Sequence, residues 1–395
     1  MDIIAQDNSS TINDKQKQRK KVPRGATVGE KEEDSSAVEA LQKKLKDIVT
    51  GTLLLSSVRL GKELGIFDAM VRIGPVTSLD LAENIGLSKR YVHEWCIQLT
   101  ANGVIEYNAE SDQFFVSLAI EDVLTSEFGI VPMICCLSEN HTPQYKLLKN
   151  AFSEDTGIYW GDMVAAAKCA NAFFKPVYDN MLEIWIGSEP ILKDTLSKVG
   201  AHIADIGCGF GASTCRLASL FPNANVLGVD FHQESVEKTM ELVHKSNLNN
   251  ACAISANAGT WALKNDYESC FDVICFFDCY HDMPDPESVA HQAFHALKPG
   301  GIIFLIEPLS SYGDTTREKL ELSSTIPLYS GFNVCFCTPC GKCCTSGKEG
   351  LGTTAGTSRY EHIFSQTGFA SFKTFGRNCE ISPSDSGFRL MLAIK

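Results

Sequence analysis

No apolar run in this 395-residue chain approaches the ~20 residues that a membrane-crossing helix needs, which argues against a membrane protein. The first residues are polar and lack the apolar core of a secretory signal. Positive charge is in short supply: 35 Lys and Arg face 48 Asp and Glu, a net charge of −13. That balance disfavours a protein that clings to nucleic acid or to anionic membranes. Against these shortages stand 16 cysteines. In a chain without a secretory signal they are expected as reduced thiols, and the protein as cytoplasmic.

The length suits two domains and a tail. Residues 1–37 are rich in Ser, Asn, Gln, Lys and Glu without apolar periodicity, and are expected to be disordered. They include the basic run Lys15-Gln16-Lys17-Gln18-Arg19-Lys20-Lys21, which reads as a solvated tail. Residues 38–125 read as a first domain. Leu41, Leu45, Ile48, Val49 and Leu53 support a long amphipathic helix, Thr77 and Ser88 stand as N-caps of two shorter helices, and Gly86 ends the first of these. Val104–Tyr107 and Gln113–Val116 flank a polar turn as two strands. This is the order of a winged helix. Between residues 41 and 125 eight Lys and Arg stand against eleven Asp and Glu, so DNA binding is not expected. Residues 126–195 read as a helical region. Phe173, Phe174, Tyr178 and Trp185 fall roughly on one helix face there, mostly as core and in part as a pocket wall.

The most informative stretch is Asp205-Ile206-Gly207-Cys208-Gly209-Phe210-Gly211. A short apolar run ends in an acid, three glycines alternate, and a helix begins. Glycines there let a ligand approach the backbone closely. The next apolar run ends at Asp230, placed to accept hydrogen bonds from ribose hydroxyls. Further strand runs end near Asn257-Ala258, at Phe277-Asp278 ahead of His281-Asp282, and at Glu307. Strands alternating with helices specify an α/β domain over 196–395, with a parallel sheet covered on both faces. Ligands in such sheets bind beyond the carboxyl ends of the strands. Asp205, Asp230, Asn257, His281 and Glu307 all fall at those ends.

The glycine turn with its following acid resembles class I S-adenosylmethionine (SAM) methyltransferases, whose sheet is Rossmann-like. Asp205 favours that likeness over a dinucleotide site, where it would repel two phosphates. The resemblance implies SAM as cofactor, held by Asp205, Gly207, Gly209, Gly211, Asp230, Asn257, Ala258 and Phe277. Asp205 would meet the methionine amino group and Asn257 the adenine amino group.

A winged helix ahead of a SAM domain, with His-Asp after the fourth strand, also resembles the small-molecule O-methyltransferases of plants. That likeness implies His281 as general base and Glu307 as the acid that orients it, with Met283 in place of the usual Trp. A closer likeness is to a bacterial and animal group of winged-helix SAM methyltransferases. It is carried by Phe276-Phe277-Asp278-Cys279, His281-Asp282-Met283, Asp285-Pro286, Thr338-Pro339 and Gly350-Leu351-Gly352, and spans about residues 40–395. The expected function is methyl transfer from SAM to a small molecule, most simply at a hydroxyl, by a homodimer.

Two other readings stand beside it. One is a SAM-binding winged-helix regulator. The other is a thiol- or arsenite-type methyltransferase using the cluster Cys335–Cys344. Cys340-Gly341-Lys342-Cys343 has the spacing of a zinc half-site, but the likeness places this stretch on a loop that the group keeps without those cysteines, so no metal is expected.

Overall fold

The computed structural model describes residues 28–163, 166–309, 315, 326–343, 350–375 and 388–395. The chain divides into two compact units, one ending at Leu54 and one running from Leu55 to Lys395. The basic run at 15–21 and most of the expected tail lie outside the described residues. Helix α1, Val28–Glu63, begins thirteen residues before Leu41, the first residue of the apolar period that announced it. Within the first unit its apolar residues Val38, Leu41, Leu45, Ile48, Val49 and Leu53 are 53–64% exposed.

The second unit opens with the winged helix. Helices α2 (Ile66–Ile73), α3 (Ser78–Ile85) and α4 (Lys89–Ala101) precede strands β1 (Glu106–Asn108) and β2 (Gln113–Phe115). The strands are antiparallel, with Tyr107 opposite Phe114. Thr77 caps α3 by accepting the Asp80 N–H at 3.1 Å, and Gly86 closes it in the left-handed conformation. Ser88 occupies the N-cap position of α4 but makes no side-chain capping bond. Phe67, Met70, Leu81, Trp95 and Leu99 form the small core.

Two long helices follow, α5 (Ile130–Glu154) and α6 (Ala166–Gly187). The larger sheet then has the order β5-β4-β3-β6-β7-β9-β8. Strands β3 (His202–Ile206), β4 (Asn225–Asp230), β5 (Ala251–Ser255), β6 (Phe271–Phe277) and β7 (Leu297–Pro308) are parallel. Strand β9 (Phe388–Ile394) inserts antiparallel between β7 and β8 (Ser371–Phe375). The sheet is therefore parallel through its first five strands and mixed beyond them. The sequence reading stopped at the five. One face packs Trp261, Ala290, Ala293, Tyr360 and Phe364. The other packs Leu182, Trp185, Leu192, Leu196 and Leu217. Near-continuous apolar strands are what burial on both faces requires.

Helices α7 (Ala212–Leu220), α8 (Gln233–Lys245), α9 (Pro286–Ala296) and α10 (Thr357–Thr367) supply part of those layers. The glycine turn between β3 and α7 has φ of +73° at Gly207, +54° at Gly209 and +80° at Gly211. A Cβ on Gly211 would also lie 2.6 Å from Thr239 Cγ2 on α8. Gly211→Ala should lower unfolding free energy by about 1–3 kcal/mol, from left-handed strain and crowding together. Denaturant titration measures it, and an unchanged midpoint would contradict the close packing of α7 on α8.

Candidate active site

A cavity of about 470 Å³ opens where β3, β4, β5 and β6 end. Of the ten residues picked from the sequence, Gly207, Gly209, Asp230, Asn257, Ala258 and Phe277 lie on its wall. Asp205, Gly211, His281 and Glu307 lie behind it, and their burial explains why. Gly211 serves helix packing, as described. Asp205 is 1% exposed, and its Oδ2 accepts the hydroxyls of Ser213 at 2.7 Å and Thr214 at 2.6 Å. These bonds turn its carboxylate away from the cavity wall, on which the resemblance would have it meet a ligand amino group. It staples the end of β3 to the first turn of α7.

Asp230 is the better placed acid. Its Oδ2 accepts the Gly209 N–H and its Oδ1 the His232 N–H, both at 2.9 Å. A carboxylate has about four acceptor positions, so two bonds leave capacity for ribose hydroxyls. The bond to Gly209 also fixes the glycine turn against β4. Burial pushes the Asp230 carboxyl up, and these two N–H donors oppose that shift. At Gly207 a Cβ would meet Cys279 Sγ at 2.8 Å, so the turn and the segment after β6 touch directly. Cys279 Sγ points to the Ile206 carbonyl at 3.0 Å. Asn257 is exposed at the far end of the wall, with its Oδ1 accepting the Gly259 N–H at 2.8 Å.

His281 sits in a short turn after β6 and is 1% exposed. Its Nδ1 faces Glu307 Oε2 at 2.5 Å, and its Nε2 faces Asp282 Oδ1 at 3.1 Å. Glu307, at the end of β7, also accepts the Tyr280 N–H at 2.9 Å and the Tyr360 hydroxyl at 3.3 Å. Asp282 Oδ1 lacks an aligned hydrogen bond, so its meeting with Nε2 is a charge contact. Burial by itself would push the imidazole down. The carboxylates of Asp282 and Glu307 outweigh it and hold His281 well above its ordinary value. The ring therefore holds its proton more tightly than a free histidine does. Asp282, not His281, stands on the cavity wall.

His281, Asp282 and Cys337 bring donor atoms of nitrogen, oxygen and sulfur within 4.8 Å of one another, the makeup of a metal-binding set. Their mutual hydrogen-bond and charge contacts already satisfy much of it. Cys340 and Cys343 line the cavity, and burial raises Cys337 to about 12 and Cys340 well above its ordinary range. These are thiols, not thiolates. Cys344 lies outside the described residues. The segment before α6 holds this stretch in place. Ile158 N–H donates to the Pro339 carbonyl at 2.9 Å, and a Cβ on Gly157 would be 2.2 Å from the Cys343 nitrogen.

The remaining wall is aromatic. Trp160, Phe174 and Tyr178 line it, with Phe174 and Tyr178 stacked at 5.8 Å, while Trp185 packs away against Phe388. Sequence reasoning missed Asp278 and Asp282 as wall residues. The signal was available, since Asp278 directly follows β6 and Asp282 lies in the short turn after it. On the winged helix, Lys89 pairs with Glu83 at 2.5 Å and Arg90 with Glu94 at 2.6 Å. The basic start of α4 is thus neutralised by its own neighbours.

Burial raises Asp205 to about 6, against the hydroxyl bonds of Thr214 and Ser213. The folded protein then holds this proton more tightly than the unfolded chain. The stability it contributes is full below the unfolded value of 3.8 and is lost as pH rises towards 6. The loss is on the order of 3 kcal/mol at neutral pH. Asp205→Asn cannot ionise and still accepts both hydroxyls. Its Tm relative to wild type should climb between pH 4 and 6 and then level. A constant difference across that window would show that Asp205 titrates normally.

Comparison with known proteins bears on the same elements. Residues 197–349 match the family described as a methyltransferase domain, and residues 51–126 the Rv2258c-like winged HTH domain. Among curated proteins, the chain is 28% identical over 129 residues to the 27-O-demethylrifamycin SV methyltransferase of Amycolatopsis mediterranei. It is 30% identical over 127 residues to the trans-aconitate 2-methyltransferase of Variovorax paradoxus. These matches cover 31% and 32% of this chain, and the chain spans 46% of the length of each relative.

Solved structures align over far more of it. Human N-acetylserotonin methyltransferase in complex with SAM aligns at a TM-score of 0.61 and 18% identity, over 90% of this chain and 97% of that one. PigF with SAH aligns at 0.66 and 14%, over 89% and 99%. At these identities the likeness is one of fold. The chain thus carries a winged-helix domain ahead of a methyltransferase domain.

Proposed function

We propose that the protein transfers a methyl group from SAM to a hydroxyl of a small molecule, with His281 as general base. The observation that carries this reading is the Glu307–His281 pair immediately behind the cavity wall, with Asp282 beside it on the wall. SAM would supply a methyl carbon already activated by its sulfonium. The glycine turn and Asp230 suit its ribose, and the aromatic wall suits an apolar acceptor. The proteins named above support a small-molecule acceptor.

Glu307 fixes the imidazole through Nδ1, so the ring presents Nε2 towards the cavity. In the described state Asp282 covers Nε2 by a charge contact without hydrogen-bond alignment. An acceptor hydroxyl that displaces Asp282 would reach Nε2. As the oxygen takes the methyl group that SAM would supply, its proton would pass to Nε2. Protonated His281 between two carboxylates is well stabilised, which favours that transfer. The buried thiols of Cys337 and Cys340 do not favour the thiolate-based alternative, and the paired cations of α4 do not favour a DNA-binding regulator.

His281→Ala should lower turnover by roughly 10²–10⁴-fold. Because the imidazole lies well above 6.5, the wild-type rate should rise with pH on a limb above neutrality. Asp282→Asn and Glu307→Gln each remove one charge that raises it, so each should move the limb to lower pH. In His281→Ala the limb should vanish. Full turnover in that variant on the true acceptor would exclude the base role and favour an amine or thiol acceptor.

We also propose a cytoplasmic homodimer. Among the described residues no helix is long and apolar enough to cross a membrane, and the described cysteines are free thiols. The exposed stripe Leu41, Leu45 and Ile48 on α1 falls at helical spacing and is the natural contact between two copies. Leu45→Glu with Ile48→Glu should convert dimer to monomer in light scattering at micromolar concentration. A wild-type monomer there would exclude the dimer.

A further inference from the structure

The carboxylate of Asp278 has no assigned task, and its position suggests one. It follows the last residue of β6 and lines the cavity. Its backbone is left-handed, with φ +54°, a conformation that Asp and Asn tolerate better than most side chains. Its N–H is tied to the Ile306 carbonyl at 2.7 Å. Among the described residues the carboxylate itself has no hydrogen-bond or ion-pair partner. Burial is the chief influence on it; of the charges nearby, His281 favours its ionised form, and Glu307 and Asp282 oppose it. A half-buried carboxylate left in that state calls for a cation from the ligand.

Sheet order says which cation. The strands run β5-β4-β3-β6, so Asn257, Asp230, the glycine turn and Asp278 follow one another across the carboxyl edge. With ribose on Asp230 and adenine towards Asn257, the rest of the cofactor must run the other way, over the glycine turn towards β6. Two strand spacings from β4 to β6 are about 10 Å. That is the reach of an extended chain from ribose through sulfur to an amino-acid Cα. Asp278 then stands where the ammonium arrives. It is held there by its neighbour Cys279, against which a Cβ on Gly207 would lie only 2.8 Å from Sγ. Asp205, the acid the sequence offered for this task, is turned inward to two hydroxyls.

We propose that Asp278 binds the α-ammonium of the methionine half of the cofactor. The inference rests on the SAM reading of the cavity and adds the group that holds the charged end of the ligand. An acid here would also favour the sulfonium of SAM over its neutral thioether product.

The test compares two ligands on two proteins by calorimetry. S-adenosylhomocysteine carries the amino-acid end, and 5′-methylthioadenosine shares the adenosine and sulfur but lacks that end. Asp278→Asn keeps the size and the left-handed backbone, and methylthioadenosine binding reports that the site remains folded. The variant should weaken S-adenosylhomocysteine by roughly 10- to 100-fold and leave methylthioadenosine within about twofold. Equal weakening of both ligands, or of neither, would overturn the assignment. If wild type bound neither ligand, the cofactor reading itself would fall with it. Binding of methylthioadenosine with an unchanged S-adenosylhomocysteine response would remove Asp278 alone.

Discussion

The contact between His281 and Glu307 is the joint on which the carboxyl edge of the sheet depends. Glu307 is fully buried at the end of β7. Its two oxygens take the His281 ring, the Tyr280 N–H and the Tyr360 hydroxyl, and so tie β7, the turn after β6 and α10 at one point. The His281 carbonyl in turn accepts the Gly352 N–H at 2.8 Å, which draws the 350–355 segment onto the same joint. Buried charges of this kind are expensive unless every member is paired. The arrangement is therefore rigid, and rigidity is what a group acting at a fixed distance from a reacting atom requires.

Around that joint the site is acidic. Asp205, Asp230, Asp278, Asp282 and Glu307 gather at the strand ends, and of these Asp205, Asp230 and Asp278 are pushed up by burial. Asp205 spends its charge on two hydroxyls, and Asp230 on two backbone N–H groups. Glu307 spends its charge on the imidazole. Among the described residues Asp278 has no such partner. Among the described residues the cavity wall holds one lysine, Lys175, already paired with Asp179, so the wall suits a ligand that brings positive charge better than one that brings phosphates. The same physics separates a sulfonium cofactor from a dinucleotide more firmly than the glycine spacing does, because glycine turns of this shape serve both.

Much of this was legible in the sequence. Strand β5 ends where its apolar run ends, and β3 and β4 carry their acids at the expected termini, because burial on both faces forces continuous apolar residues. The winged helix was legible for a different reason, since Thr77 and Gly86 punctuate its helices by local chemistry alone. What could not be read was direction. The sequence places Asp205, His281 and Glu307 at strand ends, but only packing decides that all three turn inward while Asp278 and Asp282 face the cavity. Strand β9 was illegible for a related reason. Its insertion between β7 and β8 is a long-range pairing that no local period encodes.

The order of strands also constrains what the protein can methylate. If adenosine lies over β5 and β4 and the amino-acid end reaches β6, the methyl carbon must project away from the sheet edge. The elements in that direction are α6, with Phe174 and Tyr178, the strap carrying Trp160, and the Cys340–Cys343 stretch. Their wall residues are mostly aromatic or small; α6 adds Asn171 and Lys175, the latter paired with Asp179 at 2.5 Å. The strap and the cysteine stretch are locked together at Gly157, where a side chain would strike the Cys343 backbone. The ceiling of the acceptor space is thus set by backbone packing, while its floor is set by Asp278, Asp282 and the imidazole behind them. On the proposed reading, an acceptor that fits has an apolar body that meets the aromatic wall and a reactive oxygen directed at the imidazole. That is a stricter demand than the fold imposes, and it arises from side chains that no single motif contains.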